Sequence, residues 1–154
     1  MPKWNSKRKS KRDNSRTLQA EPRSFPYRRL YTWDIAVRME RAQTQNFSLL
    51  QSKRIGPTAC DYLVAGLTST QYCVRLCHTP TCSCPDFVQR QDLCKHILFV
   101  TVCVVGLAID DPRVFQRGLT TSELVAMFNL ADARTCSTGN ATAVDNALQS
   151  SPNT

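Results

Sequence analysis

The sequence predicts an α+β fold: a small antiparallel sheet, a cysteine–histidine knuckle and a buried helix, with flanking helices and disordered termini. Three observations carry this expectation. Residues 71–77 alternate between apolar and polar side chains. Four cysteine and histidine side chains crowd into residues 82–96. Directly behind them runs the mostly apolar stretch Ile97–Ile109, long for a strand and short of the about 20 residues that a helix needs to cross a bilayer.

The chain has 154 residues, of which 42% are apolar, 21% charged and 8% aromatic. That suits one domain with tails and argues against full disorder. The +8 net charge is unevenly placed. Residues 1–41 hold twelve basic side chains and four acids, and residues 42–154 hold eight of each sign. The surplus therefore belongs to an N-terminal arm. Residues 1–30 read as a disordered basic arm, 31–131 as the domain with its core at 60–109, and 132–154 as a disordered tail, because the Ser, Thr, Ala and Asn there lack apolar periodicity.

In chain order, Asp34 is expected to cap a helix through 35–42, whose Ile35, Met39 and Ala42 share a face. Three strand-like stretches follow, at 47–54, 61–65 and 71–77. Tyr62 and Val64 face one way in the second, and Tyr72, Val74 and Leu76 do so in the third; Gly66–Thr70 is a hairpin loop. The valines at 100, 102, 104 and 105 would suit a strand, but length favours a buried helix starting near Lys95. Asp111 as cap, Pro112 at the first position and Gly118 as terminator bracket a short helix. Thr120-Thr-Ser-Glu123 is a capping box before Leu124, Met127, Phe128 and Ala131.

The chemistry concentrates in Cys82-x-Cys84 and Cys94-x-His96. Three thiolates and an imidazole complete a tetrahedral zinc shell, with no position open for catalysis. Residues two apart on a helix point about 200° away from each other. Cys94 must therefore precede the helix and His96 lie in its first turn. Asp86, Arg90 and Lys95 are candidate neighbours of the shell; Asp86 either accepts from a ligand ring or pairs with Arg90. Cys60, Cys73, Cys103 and Cys136 read as packing thiols, and Cys77 and His78 are the competing donors. A disulfide framework is the alternative for eight cysteines, but no secretory signal precedes them.

The pattern Cys82-x-Cys-Pro85-Asp86-Phe87-x-x-Arg90…Cys94-Lys-His96-Ile-x-Phe-Val100 resembles the SWIM-type zinc finger. Upstream, Arg41-Ala42, Thr44-Gln45, Phe47, Tyr62–Gly66 and Tyr72–Val74 resemble the approach to the finger in SWIM-plus-RING ubiquitin ligases and in the SWIM-bearing MAP kinase kinase kinase. Downstream, Leu119–Leu124 resembles the helix that follows there. The resemblance implies a ββα finger around one structural zinc, ligated by Cys82, Cys84, Cys94 and His96, with Asp86 and Phe87 supporting the knuckle, and used to bind proteins or DNA. After Cys103 only Cys136 remains, with no histidine beyond His96, so a RING with its eight ligands is not expected. Gln91 stands where many relatives have a small residue.

These features point to a non-enzymatic zinc module that binds a protein partner. No nucleophile pair or phosphate loop is visible, and no small-molecule substrate or membrane is implied. The cluster Lys7, Arg8, Lys9, Lys11 and Arg12 reads as a nuclear-import signal or a phosphate-binding arm for DNA or RNA, giving an intracellular, nuclear expectation. Trp4, Phe25, Tyr27, Tyr31 and Trp33 interleave with Arg28 and Arg29 as a stacking surface would, whereas Tyr31 and Trp33 can equally anchor the first helix in the core. A role as substrate adaptor or competitor of a SWIM–RING ligase is the other alternative.

Overall fold

The computed structural model describes residues 20–138, and the Lys7–Arg12 cluster and Trp4 lie outside them. Helix α1 spans Trp33–Thr44. Thr32 is its cap, and Asp34 sits in the first turn, where a carboxylate meets the positive end of the helix dipole. Ile35, Met39 and Ala42 are buried as their spacing requires, and Arg38 is buried with them.

Four antiparallel strands follow in the spatial order β1-β2-β3-β4: Ser48–Gly56, Ala59–Ala65, Gln71–Leu76 and Thr81–Cys82. Alternation sends Tyr62, Val64, Val74 and Leu76 into the core, while Asp61 and Arg75 pair on the opposite face at 2.6 Å. The hairpin at Gly66–Thr70 turns through Ser69 at φ 59°. Strand β4 was not expected. Two residues are too few to alternate, and it exists because Val74 and Arg75 of β3 pair with Cys82 and Thr81.

Helix α2, Pro85–Arg90, starts on Cys84 as cap with Pro85 in its first turn, and ends at Gln91 in the left-handed region, φ 53°. Helix α3, Lys95–Phe99, runs directly into a wider π-helical segment, Val100–Val105, closed by Gly106 at φ 91°. The valine-rich stretch is thus helical. Four fully buried residues, Ile97, Leu98, Val100 and Val105, line it, and α1 packs against α3.

A 3-10 turn occupies Pro112–Phe115, with Asp111 accepting from the Arg113 N–H. It stops at Phe115 before reaching Gly118, since Gln116 is already extended. Gly118 instead lies against the incoming chain, where an added Cβ would come within 3.0 Å of the Phe25 nitrogen. Helix α4, Thr121–Thr138, opens with the expected box: the Thr120 N–H donates to Glu123 at 2.9 Å, and the Glu123 N–H to Thr120 Oγ1 at 3.3 Å.

The structure differs from the expected boundaries at both ends. Residues 20–30, assigned to the arm, are tied to the domain. Arg23 pairs with Glu123 at 2.6 Å and donates to the Gly118 carbonyl, and Glu21 accepts from the Ser122 N–H. Gln116, 1% exposed, exchanges hydrogen bonds with the Arg28 backbone at 2.9 and 2.7 Å. At the other end α4 runs past Ala131 to Thr138. Asp132 there meets Arg54 at 3.0 Å. Both extensions rest on partners far away in sequence, which local composition does not reveal.

Candidate metal centre

The four ligand candidates converge from three elements. Cys82 lies in β4, Cys84 caps α2, Cys94 caps α3 and His96 sits in the first turn of α3. Cys94 is extended, φ −96° and ψ 168°, so its thiol turns back toward the imidazole as the two-residue spacing demands. The Cys82-x-Cys84 turn is clamped onto β3: the Ser83 N–H donates to the Cys73 carbonyl and Ser83 Oγ accepts from the Cys73 N–H, each at 3.0 Å.

The donor atoms of Cys82, Cys84, Cys94 and His96 all lie within 4.8 Å of one another, and all four residues are buried. His96 Nδ1 stands 3.9 Å from both Cys82 Sγ and Cys94 Sγ. A tetrahedral zinc with bonds near ~2.3 Å to sulfur separates its ligands by about 3.8 Å, so the cluster fits one ion. Two main-chain amides point at the sulfurs: Cys84 N–H to Cys82 Sγ and Phe87 N–H to Cys84 Sγ, both at 3.4 Å. Such donors favour thiolate.

The His96 ring is gripped between Tyr72, with centroids 4.6 Å apart, and Phe47, at 5.1 Å and 74°. Neither residue stood out as part of the site in the sequence, although the alternation of β3 put Tyr72 on the core face. A cleft of about 430 Å³ opens beside this ring, lined among others by Leu67, Pro85 and Lys95.

The three candidate neighbours of the shell divide. Asp86 pairs with Arg90 at 2.9 Å, the i,i+4 alternative, and with Arg38 at 3.5 Å. Arg90 is 57% exposed in its side chain, so it faces solvent. Lys95 donates to Gln45 at 2.7 Å and lies 5.5 Å over Phe47. Arg38 was missed. Only 8% exposed, it donates to the Leu93 carbonyl at 3.1 Å, one residue before a ligand. The available signal was its place on the Ile35–Met39–Ala42 stripe. Of the competing donors, Cys77 contacts the Thr79 carbonyl and His78 meets Thr121 at 3.1 Å, and neither joins the cluster.

Comparison with known proteins agrees with this geometry. Residues 75–104 match the SWIM zinc finger family, a narrower span than the 60–109 expected for the core. Over 85 residues the chain is 32% identical to the mouse (Mus musculus) E3 ubiquitin-protein ligase Zswim2, a match that covers 55% of this chain and 14% of that protein. No solved structure matches the chain. Ligand spacing, buried donor cluster and family match coincide on one stretch, and the chain carries there a SWIM zinc finger domain with a Cys3His zinc site.

Proposed function

We propose that this domain is a non-enzymatic, zinc-stabilised module that binds a protein partner. The observation that carries the reading is the exposure of Leu30 and Trp33, 83% and 82%, on a segment tied to the knuckle. Arg28 grips Asp92 through both carboxylate oxygens, at 3.1 and 2.9 Å, and Arg38 reaches Asp86 and the Leu93 carbonyl. Single exposed apolar side chains are ordinary, but a tryptophan held outside the core is the kind of anchor that dominates protein interfaces. Among the described residues, the other interleaved aromatics each meet a neighbour in the domain, Tyr27 and Tyr31 while 49% and 41% exposed. Arg117 lies 4.1 Å over Phe25, Arg23 lies 5.1 Å over Tyr27, and Tyr31 meets Phe115 edge-on. This favours protein over nucleic acid for the described face.

Bound zinc supplies a cross-link among β4, α2 and α3; in small fingers such coupling amounts to about 10–16 kcal/mol at neutral pH. With all four positions filled by protein donors, the site offers none to a substrate. Arg28 and Arg38 then transmit the order of the knuckle to the Leu30–Trp33 segment. The likeness to Zswim2 supports a narrower role as substrate adaptor or competitor of such a ligase. The basic cluster at 7–12 supports nuclear import.

The test is affinity purification of wild type, Cys94→Ser and Trp33→Ala, with protein and nucleic-acid readouts. Protein partners lost in both variants support the reading, and partners retained by both overturn it. Nucleic acid that persists with Cys94→Ser belongs to the arm. One zinc per chain in Cys94→Ser would refute the ligand assignment.

A further inference from the structure

Strand β1 contributes little to the core. Eight of its nine residues are exposed and the ninth is half-buried, although it carries Leu49, Leu50 and Ile55, exposed at 39%, 48% and 50%. It is an edge of the sheet, paired with β2 alone among the described residues. One row of its main-chain N–H and C=O groups therefore has no neighbouring strand among the described residues, which makes it a template for one more.

Charge and register decide what fits. β1 holds Lys53 and Arg54 and no acid. Lys53 faces Asp61 across the sheet, but Arg75 holds both oxygens of that carboxylate at 2.6 and 2.7 Å. Arg54 lies on the other face, matched by Asp132 and stacked 4.2 Å over Phe128. A second copy would bring two more cations to this edge. The register shifts at Leu50 and Ile55 leave Gln51–Arg54 as the regularly paired stretch of β1. An acidic strand meets the opposite conditions. Successive side chains alternate in face, so acids on the face of Lys53 leave apolar residues on the face of Leu49, which pairs with buried Val64.

We propose that the free edge of β1 binds an extended segment of a partner protein, with alternating acidic and apolar residues, as a fifth strand. This rests on the reading that the domain binds protein, and it adds to the Leu30–Trp33 face a second surface with the chemistry of the segment it takes. β1 supplies no metal ligand, so the contact needs zinc for the fold alone.

The probe is a fluorescently labelled seven-residue peptide alternating glutamate and valine, titrated onto the zinc-loaded full chain by anisotropy, with amide NMR to locate it. The expected result is saturable binding that perturbs residues 48–56. Lys53→Glu should weaken it about tenfold with zinc content unchanged, Trp33→Ala should spare it, and a lysine–valine peptide should not bind. Absence of saturable binding overturns the proposal, as does sedimentation showing two copies joined through β1. Perturbation at Leu30 and Trp33 in place of β1 overturns the edge assignment while leaving protein binding standing. Loss of partner capture in the Trp33→Ala experiment does not depend on this edge.

Discussion

Replacing Arg38 by methionine tests whether the knuckle is held from outside its own sequence. Methionine retains an apolar stem of similar reach, so the buried position on α1 stays filled. What is lost is the guanidinium on the Leu93 carbonyl, 3.1 Å and buried, and the longer 3.5 Å contact to Asp86. A hydrogen bond involving a charged donor contributes about 1.5–3 kcal/mol. The Asp86 contact adds less than about 1 kcal/mol, because that carboxylate is 38% exposed and keeps Arg90. The sum is about 2–3 kcal/mol, which in a domain of this size lowers the melting temperature by about 10 °C. Zinc binding and folding are coupled, so competition with a chelator should show an apparent zinc affinity about 30- to 150-fold weaker. Asp86→Asn, which leaves the carbonyl contact intact, should cost only about 0.5 kcal/mol. If Arg38→Met proves as mild as Asp86→Asn in both assays, the carbonyl tie is unimportant and the argument fails.

Three further outcomes follow from other contacts. Thr120→Ala removes the hydroxyl that accepts from the Glu123 N–H and should lower stability by about 1 kcal/mol in urea titration; no change would mean that Arg23 and Glu123 fix the start of α4 without the box. Gly106→Ala places a side chain at φ 91° and against the Arg134 side chain, for an expected loss of about 1–3 kcal/mol by thermal melting, chiefly from the left-handed backbone; a neutral result would show that the helix end can be rebuilt. Burial raises the Asp92 carboxyl, but Arg28 and the Leu93 N–H outweigh it and hold the group below its ordinary range. A lowered folded-state value means stabilisation that is complete above the unfolded value of about 4 and is lost as pH falls further. The stability difference between wild type and Asp92→Asn should therefore hold down to about pH 5 and shrink as pH falls below about 4, and a difference that grew on acidification would refute the ion pair.

The features legible in the sequence were the local ones. Ligand spacing alone placed Cys94 before a helix and His96 in its first turn, since two positions on one helix cannot face one ion. The capping box at Thr120–Glu123 and the alternation of Tyr62, Val64, Val74 and Leu76 are likewise set within a few residues. Tertiary structure decided what depends on distant partners. Strand β4 exists through β3, and the His96 ring is oriented by Phe47 and Tyr72, 49 and 24 positions upstream. Arg38 is buried because the Leu93 carbonyl and Asp86 receive it. Residues 20–30, which read as disordered for their charge and low hydrophobicity, are held by Gln116, Asp92 and Glu123. A short segment's composition reports the free energy it can gain by itself, whereas these contacts exist only once the rest of the domain has brought their partners into place.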